Sequence, residues 1–251
     1  MDILHDYMVS EDKYYEALCW ASTYNRLDMI KFIYEHKLVE YERYEQAWIN
    51  ACCKGNINIV RFIYKMMINH SLKFRIPWVI VCGEGQLEVA KFLHNEKLVE
   101  DYFEYSDNAW RNACYGHFEM VVFLHENRLV GNYAATNDLA WGNACESGDV
   151  NIVRYLHENK LVKNYYSYFY TMWKNICIND LAEVCNYLYQ NELVKEFTPD
   201  GWNAAKRCKS FGIMLVYIKN DESLINLCNE EEKEQLRLIA DKNRKKSAKS
   251  F

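Results

Sequence analysis

Residues 47–64 read A-W-I-N-A-C-C-K-G-N-I-N-I-V-R-F-I-Y, and residues 140–157 read A-W-G-N-A-C-E-S-G-D-V-N-I-V-R-Y-L-H. Both segments place Ala-Trp before Asn-Ala-Cys, a glycine and a closely matching apolar stretch. The tryptophan of this frame recurs at intervals of 30, 32, 31, 32 and 29 residues, as Trp48, Trp78, Trp110, Trp141, Trp173 and Trp202. A fixed period near 30 residues predicts a stack of repeated supersecondary units.

Each unit has the pattern of two helices joined by a tight turn. Around Trp141, the small or apolar residues Ala140, Ala144 and Cys145 share its helix face. An apolar pattern of helical period then resumes at Val150 and predicts a second amphipathic helix. A linker of about ten residues leads to the next unit, so each unit consists of a helix, a tight turn, a second helix and a linker.

The turn between the two helices has its own recurring residue. Glycine occupies it in four units, as Gly55, Gly85, Gly116 and Gly148. A left-handed residue is expected here, because glycine can adopt that conformation at the end of a helix without a Cβ clash. Asn25 and Asp180 take the same position in two other units, and both residue types tolerate it. A first copy without tryptophan begins near Tyr14, and the copy after Trp202 is degraded.

The run from the turn into the second helix resembles the ankyrin repeat. The resemblance is clearest at residues 86–93, Q-L-E-V-A-K-F-L, and 116–124, G-H-F-E-M-V-V-F-L. The threonine-proline-leucine-histidine start and the glycine-aspartate finger of that family are absent, and aromatic, charged linkers such as residues 100–105 and 163–170 replace the finger. Divergent repeats of this composition are similar to those of the ankyrin-like multigene families of large DNA viruses. Similar repeats are also found in some protists and intracellular bacteria.

The pattern and the resemblance together predict an all-α solenoid. It contains about seven ankyrin-like helix-turn-helix repeats of about 30 residues, with reduced or irregular fingers. We expect residues 1–220 to form the repeat array, 221–241 a C-terminal capping helix, and 242–251 a basic disordered tail. A degraded last repeat fits this organisation, because terminal repeats face water on one side.

The cysteines and histidines follow the repeat and do not form a separate motif. Five cysteines lie four residues after a repeat tryptophan: Cys52, Cys82, Cys114, Cys145 and Cys177. Such a column predicts small buried thiols, not disulfides or zinc ligands. His94, His125 and His157 share a position held by tyrosine in other units, which favours aromatic packing over metal binding. We predict no catalytic site, no metal and no cofactor, and therefore no enzyme.

Charge separates the classes of partner. The net charge is −5, and the five basic residues of 242–251 leave residues 1–241 at −10. An acidic body favours a protein partner with a basic surface and disfavours nucleic acid. The alternative, nucleic-acid binding, depends on the tail and on a patch of Lys65, Lys73 and Arg75.

The sequence contains no apolar segment long enough to predict a membrane span, and no secretory signal is evident. A cytoplasmic location is therefore expected, with nuclear import through the basic tail as the alternative.

The predicted function is protein binding, as an adaptor or decoy that captures a partner on a concave face. The candidate contacts lie two, or five to six, residues past each tryptophan. They are Asn50, Lys54, Ile80, Glu84, Asn112, Tyr115, Asn143, Ser147, Asn175 and Asn179. Two alternatives stay open: the asparagines form a ladder between neighbouring repeats, or the partner binds the linker edge at Tyr102, Phe103, Tyr165 and Tyr166.

Overall fold

The computed structural model describes residues 11–99, 102–130, 133–165, 169–193 and 199–247, and the regular structure in these ranges is helical, with no strand. The predicted all-α class is therefore confirmed. The chain divides into two compact units, Met1–Ala113 with Glu119–Gly131 and Cys114–Phe118 with Asn132–Phe251.

Unit 1 contains four helix pairs. In the fourth pair, the turn between the helices and the first residue of the second helix are assigned to unit 2. Its elements are α1 (Glu11–Thr23), α2 (Leu27–Glu35), a 3-10 helix (Tyr41–Arg43), α3 (Tyr44–Cys53), α4 (Ile57–Asn69), α5 (Trp78–Gly83), α6 (Leu87–Asn95), α7 (Tyr102–Ala113) and α8 (Phe118–Glu126). Within this unit α1 packs closely on α3, and α5 on α7, whereas α3 and α5 touch at few points.

Unit 2 contains three further helix pairs and a C-terminal extension. Its elements are α9 (Tyr133–Ser147), α10 (Val150–Glu158), α11 (Phe169–Ile178), α12 (Ala182–Gln190), α13 (Pro199–Arg207), α14 (Phe211–Asn220), a 3-10 helix (Glu222–Leu227) and α15 (Glu230–Ser247). The described residues thus hold seven helix pairs in total, and each pair corresponds to one sequence repeat.

The repeated tryptophans form the core of the first helices. Trp48, Trp78, Trp110 and Trp141 are at most 2% exposed, and the recurring alanines and cysteines beside them are buried as well. Second helices contribute branched aliphatic residues such as Ile59 to the same core. Removing these large apolar surfaces from water is the main stabilisation of each pair.

The predicted left-handed turns are present. Asn25 has a φ of 57° and Asp180 a φ of 50°, in line with the four turn glycines at 66° to 108°. At the end of α3 the amide of Gly55 donates to the carbonyl of Cys52 at 3.2 Å, and the amide of Asn56 to that of Ala51 at 2.9 Å. This pair of bonds is the Schellman motif, which satisfies carbonyl groups that a helix end leaves unpaired.

Second helices end in the same motif, but without glycine. The amides of Lys37 and Leu38 donate to the carbonyls of Tyr34 and Ile33, both at 3.1 Å. The residues with positive φ at this position are Lys37, Ser71, Lys97, Arg128, Lys160 and Glu192. A left-handed conformation therefore recurs twice in each of these repeats, once between the helices and once after them.

Polar side chains next to the turns connect one repeat to the next. The Asn56 amide group donates to the carbonyls of Ser22 at 2.7 Å and Thr23 at 3.2 Å. In unit 2 the Asp180 carboxylate accepts the backbone amides of Gly212 at 3.1 Å and Ile213 at 3.0 Å, at the start of α14. These bonds occupy helix-terminal groups that would otherwise need water.

The third repeat is built differently from the others. Helix α4 has 13 residues, whereas most other second helices have nine, and α5 has only six and begins at Trp78 itself. Pro77 precedes α5, where proline restricts the residue before it to extended backbone. The extra turn of α4 takes up residues 66–69, which correspond to linker in other repeats, and the non-helical residues 70–77 then extend over the positions that form the first turn of the first helix elsewhere.

Several predicted boundaries are wrong. Residues 102–105 and 169–170, expected as linker, belong to α7 and α11, while residues 100–101 and 166–168 of the expected linkers lie outside the described residues. The predicted capping helix over 221–241 is a 3-10 helix followed by α15, which extends to Ser247 and so includes part of the predicted disordered tail. Leu236 is 2% exposed and attaches α15 to the unit, and residues 248–251 lie outside the described residues.

Candidate interaction face

The ten predicted contact residues fall into two groups by exposure. The exposed members are Lys54, Ile80, Glu84, Asn112, Tyr115 and Asn179, and the half-buried ones are Asn50, Asn143, Ser147 and Asn175. Asn50, Lys54, Ile80, Glu84 and Asn112 belong to unit 1, and the other five belong to unit 2. We refer to these positions, two and five to six residues past the core tryptophan, as the first-helix face.

Asn50 makes contacts of the ladder type. Its Nδ2 atom donates to the carbonyl of Cys19 on α1 at 3.4 Å, and its Oδ1 accepts Nε2 of Gln46 at 2.9 Å. Asn112 lies against the backbone of the preceding first helix, because a Cβ atom added to Gly83 would come within 3.0 Å of the Asn112 Cβ. Part of the asparagine column thus joins neighbouring repeats, as the structural alternative predicts.

Ser147 is engaged in its own turn. Its Oγ donates to the carbonyl of Ala144 at 2.8 Å and accepts the amide of Asp149 at 3.2 Å. The Asp149 carboxylate in turn accepts the amide of Asn151 at 2.9 Å, which caps α10. Ser147 is consequently a turn-stabilising residue, and it offers less to a partner than the exposed members of the face.

Sequence reasoning missed two residues of the first-helix face. Trp20 and Tyr24 lie two and six residues past Leu18, the residue that replaces tryptophan in the first repeat. They are 48% and 62% exposed, and their ring centroids are 4.8 Å apart with an interplanar angle of 36°. The signal that would have found them is the register itself, extended to the repeat without a core tryptophan.

The column of tyrosines and histidines on the second helices packs as expected from the sequence. His157 Nδ1 lies 2.9 Å from the hydroxyl of Tyr187, and the hydroxyl of Tyr34 lies 3.2 Å from Nε2 of His70. His94 meets Phe123 edge to face at 5.9 Å between ring centroids. In the part of the chain that the structure describes, no three metal-ligating side chains come together.

The buried thiols are poor nucleophiles. Burial raises the pKa of Cys177 to about 12, and it raises the pKa of Cys82 and Cys114 further. A thiol must ionise to attack an electrophile or bind a soft metal. The cysteine column is therefore part of the core, and its thiols are free.

An open cleft of about 440 Å³ lies beside α3 in unit 1. Its walls are formed by Tyr15, Glu42, Arg43, Glu45, Gln46, Ile49 and Arg75. The Arg43 guanidinium contacts Glu11 at 3.0 Å and Asp12 at 2.9 Å, and its central carbon lies 4.4 Å from the centre of the Tyr15 ring. The late start of α5 accounts for the opening, because one flank of α3 lacks a neighbouring helical turn.

Arg75 is held in this cleft by its backbone. Its amide donates to Glu45 Oε1 at 2.9 Å, and its carbonyl accepts the indole N–H of Trp48 at 3.2 Å. Both arginines of the cleft thus stand next to carboxylates. The local charge is mixed, unlike the clustered cations that a phosphate backbone requires.

No family model, curated protein or solved structure matches the chain. Within the described ranges, no helix has both the length and the apolar character that a membrane crossing would require.

Proposed function

We propose that the helix pairs form an ankyrin-like solenoid and that the chain is an adaptor or decoy that binds a partner protein on the first-helix face. The observation that supports this most is the contrast along the first helices of unit 1. The repeated tryptophans Trp48 and Trp78 are both buried. The side chains that face away from the core differ from repeat to repeat, and they include the exposed Trp20, Tyr24 and Ile80. Exposed aromatic and aliphatic residues framed by polar ones are typical of protein interfaces.

Binding accounts for the chain better than catalysis does. The thiols of the cysteine column are protonated core residues, and His94 and His157 pack against aromatic rings. A host-directed role in the cytoplasm follows if the resemblance to viral ankyrin-like families reflects a common origin. The acidic body favours a basic partner, because complementary charge speeds encounter and sets orientation.

Nucleic acid is the weaker proposal. Lys65, Lys73 and Arg75 are exposed, but Arg75 shares its cleft with Glu42 and Glu45. The carboxylates would repel phosphate at the place where the patch is most enclosed. Retention on heparin that falls steeply with salt would favour nucleic acid and count against the protein-binding proposal.

The decisive experiment starts from an identified partner. Affinity purification with mass spectrometry supplies candidates, and binding of a purified candidate is then measured by calorimetry. Glu84→Lys and Tyr115→Ala should each weaken binding several-fold, while the melting temperature stays within about 2 °C because both side chains are exposed. Phe32→Ala is the matched control, since Phe32 is 51% exposed but lies on the second helix α2.

Two results would contradict the proposal. One is unchanged binding after substitution at all exposed positions of the first-helix face. The other is loss of binding only on changing the linker residue Tyr165, which would place the interaction at the linker edge. Loss of stability without loss of affinity in Asn50→Ala would assign that residue to the ladder alone.

A further inference from the structure

One row of side chains at the C-terminal half of α1 combines a carboxylate with two aromatic rings in contact. Glu16 and Trp20 belong to α1, and Tyr24 directly follows its last residue, with its amide donating to the Trp20 carbonyl at 3.0 Å. The three residues are spaced four apart, so they follow one another along the same strip of surface. Long side chains on a helix lean towards its N-terminus. The rings of Tyr24 and Trp20 are in contact, at 4.8 Å between centroids, and Glu16 precedes Trp20 by one turn of α1.

Trp20 differs from every other tryptophan in the chain. The six repeat tryptophans are at most 7% exposed, whereas Trp20 is 48% exposed. Its ring is not needed to fill the core, because Leu18 and Ala21 of the same helix are fully buried and do so. An indole left in water next to a second aromatic ring and a carboxylate offers a flat, electron-rich surface with a negative charge at its edge.

Among the described residues, the same combination occurs on the flank of α1 that faces α3. There Arg43 lies over the ring of Tyr15 at 4.4 Å and pairs with Glu11 and Asp12. At the Glu16–Trp20–Tyr24 row, no arginine or lysine of the described residues lies over a ring, and Glu16 forms no ion pair there. Both arrangements combine an aromatic ring with carboxylates. They differ in that the first contains Arg43 of the chain itself, whereas the Glu16–Trp20–Tyr24 row contains no arginine.

We propose that the Glu16–Trp20–Tyr24 row is the seat of an arginine side chain from the partner protein. The guanidinium plane stacks on the indole of Trp20, and its N–H groups pair with the Glu16 carboxylate. Arginine fits better than lysine, because its planar, weakly hydrated group can stack and bond bidentately at the same time. The inference rests on the proposed function and adds to it the chemical identity of one anchor and its position at α1.

The test uses hexa-arginine and hexa-lysine peptides as probes with the full chain at physiological salt. Binding is followed by calorimetry, a readout that the Trp20→Leu variant retains. The wild-type protein should bind hexa-arginine about fivefold more tightly than hexa-lysine, as expected for one exposed cation–π contact. Trp20→Leu and Glu16→Gln should each remove this preference.

Phe32→Leu is the matched control, because it removes an equally exposed aromatic ring from α2 and should leave the preference intact. Equal affinity of the wild-type protein for the two peptides would overturn the inference, and so would an unchanged preference in Trp20→Leu. Circular dichroism of each variant at the same temperature establishes that the helices are retained. A variant that loses helicity is replaced by Trp20→Tyr, which should keep a reduced preference.

The identified partner separates this inference from the proposed function. If Glu84→Lys weakens partner binding and Trp20→Leu does not, the arginine seat is wrong and the binding face stands. If substitutions across the whole first-helix face have no effect, the proposed function fails. Replacement of arginines in the partner, one at a time by lysine, should reproduce the loss seen with Trp20→Leu at a single position.

Discussion

The side-chain amide of Asn56 donates a hydrogen bond of 2.7 Å to the carbonyl oxygen of Ser22, one repeat earlier in the chain. Ser22 is in the last turn of α1, and Asn56 lies at the start of α4. The Asn56 side chain thus binds a carbonyl group at the end of α1 that has no hydrogen-bond partner within α1. Such bonds add a polar connection to the apolar stacking between repeats.

Asn56→Ala should lower the free energy of unfolding by about 1 kcal/mol, the usual worth of a hydrogen bond whose partner then returns to water. Asn58→Ala is the control, because Asn58 is exposed on the same helix and receives the same substitution. Urea denaturation followed by circular dichroism compares the two. Equal losses would mean that the contact contributes no more than a general change in helix propensity.

Trp141→Ala should cost about 3–5 kcal/mol, because a large, fully buried side chain is replaced by a small one in a middle repeat. Trp20→Ala should cost less than about 0.5 kcal/mol, since that indole is largely exposed. Trp202→Ala, in the last pair, should fall between them. A negligible loss at Trp141 would contradict a core built on the repeated tryptophans.

The thiols should differ widely in reactivity. Cys208 is exposed and should react with a thiol reagent within minutes, whereas the buried Cys52, Cys82, Cys114 and Cys145 should react only after denaturant is added. Mass spectrometry of the labelled peptides resolves each site. Rapid labelling of several of the buried thiols in the native protein would show that the cysteine column is not core.

Alkaline pH should destabilise the protein through the same thiols. Burial raises the pKa of Cys82, Cys114 and Cys145 above their ordinary value, so the folded state keeps these protons when the unfolded chain loses them. Their contribution is fully present below about pH 8.5 and is lost as the pH rises, at up to about 1.4 kcal/mol per thiol per pH unit.

The measurement is urea denaturation between pH 7 and 10.5 under reducing conditions. Cys82→Ala should be less stable at neutral pH but should show a shallower decline above pH 9. A decline of equal slope in that variant would assign the alkaline loss to other groups.

Asp180→Ala should lower stability by about 1 kcal/mol, the typical cost of removing a helix-capping side chain. The carboxylate accepts the amides of Gly212 and Ile213, and the residue itself has a φ of 50°, which alanine adopts poorly. Asp180→Asn keeps one acceptor and tolerates the backbone, so it should cost less. Hydrogen exchange at the start of α14 should quicken in the alanine variant, and equal protection in all three proteins would count against the cap.

Most of the fold could be predicted, because the same physical requirement recurs in every repeat. A buried tryptophan, a small neighbour and a left-handed turn leave a sequence signal at one spacing, and the positions of Trp48, Gly55 and Asp180 follow from it. The helix boundaries are harder to predict than the core positions. Helix α4 has an extra turn and α5 begins late, at Trp78, while the spacing from Trp48 to Trp78 stays near the common period and therefore gives no sign of the shift.

The residues of the candidate face are harder to predict than the core, because packing does not restrict the residue type at an exposed position. Ile80 and Glu84 could be assigned from register alone. Trp20 escaped because its repeat lacks the tryptophan that sets the register. The bond from Asn50 to Cys19 in the preceding repeat fits the ladder alternative, but the sequence could not decide between a ladder and a partner contact, because both leave the same periodic asparagine.

The lysine and arginine residues with positive φ that follow the second helices affect the rate at which the protein is degraded in a cell. Lys37, Lys97, Arg128 and Lys160 adopt a backbone conformation that costs about 1 kcal/mol more for them than for glycine. A small shift in stability changes the fraction of chains exposed to proteases, and hence abundance. Single exchanges at these four places could therefore raise or lower the cellular level of the protein while every binding residue stays unchanged.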